Sequence, residues 1–175
     1  MKIFVDTKQQ ILRMDKCEYA CAIGKNGAVP ECNGREGDGK TPLGTYKLRY
    51  GMYRADRIEL PDTYLPFWAL RKDDGWCDTS GDPAYNRPVR LPYPSSAEHL
   101  WRDSPVYDII IVLGHNDDPP APNMGSAIFL HIAREGYAPT QGCVAVSRED
   151  MLALVSKVDN ESSIEIQSGY GLAIR

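Results

Sequence analysis

The sequence predicts a mostly-β domain carrying one short helix, and three observations predict it. Residues 107–114 (YDIIIVLG) and 126–133 (SAIFLHIA) are short continuous apolar runs, the pattern of strands buried on both faces. Near the N-terminus, short segments with apolar residues at alternating or consecutive positions are bounded by charge or glycine. Helix start signals combine with an apolar face only once, after Ser147.

In chain order, the first strands are expected over residues 2–5, 10–13 and 19–24. A glycine-dense stretch, residues 34–44, then leads into a strand over 45–50. Gly34 and Gly39-Lys40-Thr41 satisfy the phosphate-loop pattern, but that loop must open a helix. Pro42 and the strand-forming Thr45-Tyr46-Lys47-Leu48 deny it one, so the stretch reads as a turn entering a strand. Residues 73–94 (DDGWCDTSGDPAYNRPVRLPYP) form a long irregular region whose prolines disfavour regular ladders. Long ordered loops in compact domains tend to be functional. Its Trp76, Tyr85, Asn86 and Arg87 are therefore candidates for a substrate-facing wall, with packing over the sheet as the equal alternative. Strands follow over 107–114, 126–133 and 144–146. Ser147 then caps a helix with Glu149 and Asp150 in its first turn and Met151, Leu152, Leu154 and Val155 on its apolar face, ending near Val158. Residues 163–167 supply a last strand.

At 175 residues the chain fits one domain, residues 1–175, large enough to bury about two thirds of its unfolded surface. A net charge of −4 excludes the basic footprint of a nucleic-acid binder. No apolar run approaches the ~20 residues of a membrane span. The first residues, MKIFVD, lack the apolar core of a secretory signal. Cys17, Cys21, Cys32, Cys77 and Cys143 make five cysteines, an odd number that leaves at least one thiol unpaired within the chain. No C-x-x-C or zinc-finger spacing occurs, and no metal site is expected.

Only Cys143 has neighbours that point to chemistry. His131 lies in one expected strand and Cys143 opens the next, with residues 132–142 between them. Adjacent strands joined this way can set an imidazole beside a thiol, the pairing a cysteine nucleophile requires. Gly142 lets the backbone approach a substrate closely. The amides of Gly142 and Cys143 can face a developing oxyanion, each donor contributing roughly 2.7–4 kcal/mol. A cysteine pKa near ~8.5 falls by several units beside an imidazolium, so the pair is expected to hold a ready thiolate.

These residues resemble the L,D-transpeptidase catalytic domain family, the YkuD-like proteins. A strand histidine, a variable loop and a Ser/Thr-His-Gly-Cys segment have their counterparts in His131 and Thr140-Gln141-Gly142-Cys143. Upstream, residues 37–46 (GDGKTPLGTY) are similar to the family's GDG-x-TP-x-G-x-[YF] segment. The segments DDGWCD, DPAYNRPVRLPYP and LGHNDDPP look like a proteobacterial branch. The resemblance implies a YkuD-type β-sandwich acting on peptidoglycan stem peptides in the periplasm or cell envelope. Cys143 is then the nucleophile, His131 the base, the Ile132 carbonyl its orienting acceptor and Gly142 part of the oxyanion hole. It implies no cofactor, and it implies acylation by carbapenem-type inhibitors. Here Gln141 stands in place of the usual His, and Ala145 where many members carry Arg or Asn. His115, with Asn116 beside it, is a candidate substrate-binding imidazole compensating for position 141; Arg134 is a candidate for the missing cation, and Gln141 can still donate a hydrogen bond.

Three other readings compete. A metallohydrolase on His115, Asp117 and His131 lacks supporting spacing and leaves Gly142-Cys143 unexplained. A papain-type or NlpC-like peptidase has its Cys before its His, usually opening a helix, the reverse of the order here. A non-catalytic envelope-binding domain has no need of both Cys143 and His131.

Overall fold

Ten strands of the computed structural model, which describes residues 1–169, form one sheet that closes on itself. The chain begins with β1 (Lys2–Asp6), β2 (Ile11–Met14) and β3 (Cys17–Ala22), a meander of antiparallel neighbours. Next come β4 (Ala28–Pro30), the long β5 (Thr41–Tyr53) and β6 (Phe67–Ala69). A small three-stranded sheet follows, with β7 (Asp74–Cys77) between β8 (Pro88–Arg90) and β9 (Ala97–His99). The chain then returns to the main sheet through β10 (Ile109–Leu113), β11 (Phe129–Ile132) and β12 (Val144–Val146). Helix α1 (Arg148–Val155) and β13 (Ser163–Gln167) complete the described elements.

The main sheet runs β10-β11-β12-β3-β2-β1-β13-β5-β4, and β5 also pairs with β6 and with β10. Closure occurs at one peptide of β5. The Lys47 carbonyl accepts from Gly114 N–H at 2.9 Å while the Leu48 N–H donates to Ser162 O at 3.0 Å. These two groups point opposite ways, so β10 and β13 flank β5 on opposite edges. The architecture is mostly β with one α-helix among the described residues, and the expected β-sandwich takes the form of this closed, barrel-like sheet.

Alternation along β10 divides the core in two. Ile109, Ile111 and Leu113 face inward with Leu130 and Ile132 of β11, Ile3 and Val5 of β1, and Met151, Leu154 and Val155 of α1. Ile110 and Val112 face outward with Phe129 of β11 and Cys143, against Trp76, Leu100, Val106 and Tyr107. The unbroken apolar run IIIVL reflects burial on both faces, as its sequence predicts. Ser147 caps α1, its Oγ accepting from Asp150 N–H at 3.1 Å.

Residues 73–94 are more regular than their prolines predict. Pro88 is tolerated because β8 is an edge strand, where a missing N–H costs no ladder bond. Strand β5 also begins at Thr41 rather than 45, because Thr41, Pro42 and Leu43 pair in parallel with β4. All five cysteines are free thiols, Cys17 and Cys32 exposed and the others buried.

Candidate active site

Strands β11 and β12 run parallel, with Leu130 opposite Val144 and His131 opposite Ala145. One step back along the register sets Phe129 opposite Cys143. Side chains two apart share a face, so His131 and Cys143 emerge on the same, outward face of neighbouring strands. Both are buried and both line one cavity of about 560 Å³. His131 Nδ1 lies 2.9 Å from the carbonyl oxygen of Ile132. A carbonyl only accepts, so Nδ1 carries the proton and Nε2 keeps its lone pair. The edge of one ring meets the face of the other where Tyr107 packs on His131, centroids 5.3 Å apart.

Cys143 sits at the end of a turn tied down on both sides. Thr140 Oγ1 donates to Cys143 O at 2.7 Å and accepts from Gly142 N–H at 3.1 Å. The Gly142 N–H, expected to face an oxyanion, is thus held by the Thr140 hydroxyl. Thr140 is itself clamped to the stretch after β3, its N–H donating to Ile23 O and its carbonyl accepting from Lys25 N–H. Gly142 has φ +141°, and a Cβ there would lie 2.8 Å from the Lys40 carbonyl oxygen. This contact brings the glycine-dense segment against the cysteine turn, so two stretches of sequence about a hundred residues apart (Lys40 and Gly142) build one wall.

The thiol has local partners. Cys143 Sγ donates to Ala127 O at 3.2 Å and accepts from Phe129 N–H at 3.3 Å. Ala127 adopts φ +54° and its own N–H donates to Asn86 Oδ1 at 3.0 Å. Asn86 Oδ1 also accepts from Trp76 Nε1, while its Nδ2 donates to the carbonyls of His115 and Asn116. Trp76, Tyr85, Asn86 and Arg87 therefore stand behind the cavity wall rather than on it, their polar groups engaged with one another, with Glu36 and with backbone. Tyr85 Oη donates to Glu36 and accepts from Gly125 N–H, and Arg87 reaches the Asp117 carbonyl at 3.4 Å. Asn116 also lies outside the lining, its Nδ2 donating to Ala121 O and Gly125 O.

His115, Arg134 and Gln141 do line the cavity with Cys143 and His131. The two ring nitrogens of His115 are both engaged, Nδ1 with Glu31 Oε1 at 3.1 Å and Nε2 with Met124 O at 3.2 Å. Among the described residues no group of three or more His, Cys, Asp or Glu side chains has the geometry to hold a metal ion.

A family model described as the L,D-transpeptidase catalytic domain, YkuD, matches residues 1–166. The chain belongs to this family. Among solved structures, it is similar to Bd1075 of Bdellovibrio bacteriovorus, at 18% identity and a TM-score of 0.49, over 95% of this chain and 47% of that one. It is also similar to the L,D-transpeptidase from Mycobacterium smegmatis, at 14% identity and a TM-score of 0.43, over 95% and 58%. L,D-transpeptidase 3 from Mycobacterium tuberculosis, in complex with a faropenem-derived adduct, shows 13% identity and a TM-score of 0.45, over 95% and 59%. The chain thus spans about half the length of these structures. No curated protein matches the sequence.

In this L,D-transpeptidase domain the expected ready thiolate is not the resting state. Burial pushes the Cys143 thiol up to about 12, and the Glu98 carboxylate adds to the effect against the Phe129 N–H and Arg102. Burial also lowers His131 to about 4, opposed by the Ile132 carbonyl and reinforced by Arg102 and Arg134. A low-dielectric site disfavours both charges, and the pair rests as thiol and neutral imidazole.

Sequence reasoning missed a cluster beside the pair. Glu98 Oε1 accepts from Tyr107 Oη at 2.6 Å and Arg102 Nη2 at 2.5 Å, and the Arg102 guanidinium lies 4.4 Å from the Tyr107 ring centroid. No motif marks these residues, because long-range folding brings them to the cavity.

Proposed function

We propose that this chain is one catalytic domain, a peptidoglycan L,D-transpeptidase that transfers acyl groups through Cys143. The observation that carries the reading is the placement of Cys143 and His131 on one face of adjacent parallel strands, at a shared cavity, with Nε2 of His131 left as acceptor.

A stem-peptide carbonyl enters the cavity, and the thiol leaves Ala127 O to give its proton to His131 Nε2 as sulfur attacks the carbonyl carbon. The Cys143 N–H faces the developing oxyanion, with Gly142 keeping the turn open beside it. Collapse expels the terminal residue as an amine, which takes the proton from His131, and a thioester remains. A diaminopimelate side-chain amine of a second stem then attacks the thioester. Its proton passes to His131 and on to the departing sulfur, and a cross-link forms. Water in the amine's place gives carboxypeptidase activity on the same site.

Charged groups fit a charged peptide. Arg134 and Arg102 at the cavity offer cations for stem carboxylates where position 145 has none, and Gln141 offers an amide. The substrate places the protein's work in the cell envelope, and β-lactams of the carbapenem type acylate Cys143. No cofactor takes part. The test is product analysis with disaccharide-tetrapeptide muropeptides. Cross-linked dimers from the wild type, absent with Cys143→Ala, support transfer; released terminal residue without dimers makes the protein a carboxypeptidase instead.

A further inference from the structure

The resting thiol does not hold its own base. Cys143 Sγ donates to Ala127 O, and His131 Nε2 makes no hydrogen bond among the described residues. The imidazole has a single polar anchor, Nδ1 to the Ile132 carbonyl. A ring hung from one bond can still tilt about it, and a tilt carries Nε2 away from the path of the thiol proton. Packing must set the orientation that the missing sulfur contact does not. Among the described residues the ring that packs on His131 is Tyr107, with an interplanar angle of 78°.

Tyr107 is itself fixed from three sides. Its hydroxyl donates to Glu98 Oε1, the Arg102 guanidinium lies over its ring, and Phe129 meets it edge to face with centroids 6.1 Å apart. Arg102 donates to that same Oε1 from Nη2 and to His99 O from Nε at 3.0 Å. The Arg102 carbonyl accepts from Arg54 Nη1 at 2.7 Å, and the Arg54 side chain is buried against the Trp101 ring. A buried tyrosine bonded at its hydroxyl and packed on its ring has no second rotamer to visit.

We propose that Tyr107, held at its hydroxyl by Glu98 and over its ring by Arg102, is a positioning residue that keeps His131 Nε2 aimed for the Cys143 proton. The proposal rests on the reading of Cys143 as nucleophile and His131 as base. Tyr107 acts through His131, as the third group that orients the base of a nucleophile pair. Both donors on Glu98 converge on one oxygen, and an amide oxygen has lone pairs for two donors. Glutamine at position 98 therefore keeps the hold on Tyr107 and loses the charge, whereas alanine loses both.

The experiment follows acylation of Cys143 by a carbapenem on the full chain, by intact mass, and separates the saturating rate from the half-saturating concentration. Glu98→Ala is expected to slow the saturating rate about tenfold and Tyr107→Leu about a hundredfold, with half-saturation unchanged. Glu98→Gln is expected to return the rate to within about threefold of the wild type. A second readout is the imidazole NMR spectrum of chain labelled at its three histidines. The His131 signal should shift or split in Glu98→Ala and return in Glu98→Gln, while the His115 signal stays in place. A Glu98→Ala rate equal to the wild type's overturns the proposal. So does a Glu98→Gln rate as low as that of Glu98→Ala, which would make Glu98 act by its charge on the thiol instead. Either result leaves the acyl-transfer reading intact. Absence of any Cys143 adduct on the wild type, with the carbapenem and with disaccharide-tetrapeptide alike, overturns that reading and the positioning role with it.

Discussion

The thiol of Cys143 donates to the carbonyl oxygen of Ala127 at 3.2 Å, so the resting sulfur is held by backbone. Ala127 is placed by Asn86, and Asn86 is placed by Trp76 and by the chain at His115 and Asn116. The small sheet therefore reaches the sulfur through two side chains and one peptide. This gives the Pro-rich stretch a positioning role rather than a direct one.

A neutral resting pair changes how Cys143 meets alkylating agents. With the thiol held up near about 12, its alkylation by iodoacetamide should rise roughly tenfold per pH unit between pH 7 and 10. Peptide-resolved mass spectrometry separates it from the exposed Cys17 and Cys32, which serve as references. A rate already flat from about pH 6 upward is the signature of a thiolate–imidazolium pair and contradicts the neutral site.

The same burial makes stability depend on acid. Folded His131 takes up its proton near about 4, against an ordinary value of 6.5. Between those values the unfolded chain binds the proton and the folded chain does not. Stability from this group is therefore complete above pH 6.5 and falls as pH drops toward 4, by about 1.4 kcal/mol per unit. Denaturant titrations of His131→Gln should show a shallower decline across this window, and a slope equal to the wild type's would refute the burial argument.

Asn86→Ala removes two accepted and two donated bonds at a buried position and orphans the Trp76 Nε1–H and the Ala127 N–H. The expected loss is about 3 kcal/mol in urea unfolding. Acyl transfer should fall with it, since Ala127 is no longer fixed. A change below about 0.5 kcal/mol would show the brace to be dispensable.

Gly142→Ala should cost about 2 kcal/mol and slow acyl transfer by roughly a hundredfold. The added Cβ meets the Lys40 carbonyl at 2.8 Å, and backbone at φ +141° disfavours any side chain. Comparison of kcat with unfolding free energy checks it. Full activity in the variant would mean that the turn relaxes without moving Cys143.

Much of the main sheet was legible in the residues. The Ile-rich β10, the strand bearing His131, the Ser147 cap and the terminal β13 all follow from local pattern, and the family from two separated motifs. Of the five three-residue strands, β12 showed as an apolar run, whereas β4, β6, β8 and β9 were not legible, because so short a segment holds no period to read. The bracing by Asn86 was equally hidden. Its four partners come from Trp76, His115, Asn116 and Ala127, which local sequence does not connect to it. The protonation of the pair was misread for a similar reason. Adjacency of His131 and Cys143 shows in the sequence, but the Tyr107 and Trp76 rings that join the neighbouring Phe129 in burying them arrive from elsewhere in the chain.

The most direct test of the central claim is intact-protein mass spectrometry after brief exposure to disaccharide-tetrapeptide, wild type beside Cys143→Ala, with peptide mapping of any adduct. A transient adduct of donor minus its terminal residue, mapped to Cys143 and missing from the mutant, is the predicted result. An adduct on another residue, or turnover undiminished in Cys143→Ala, would contradict acyl transfer through this cysteine.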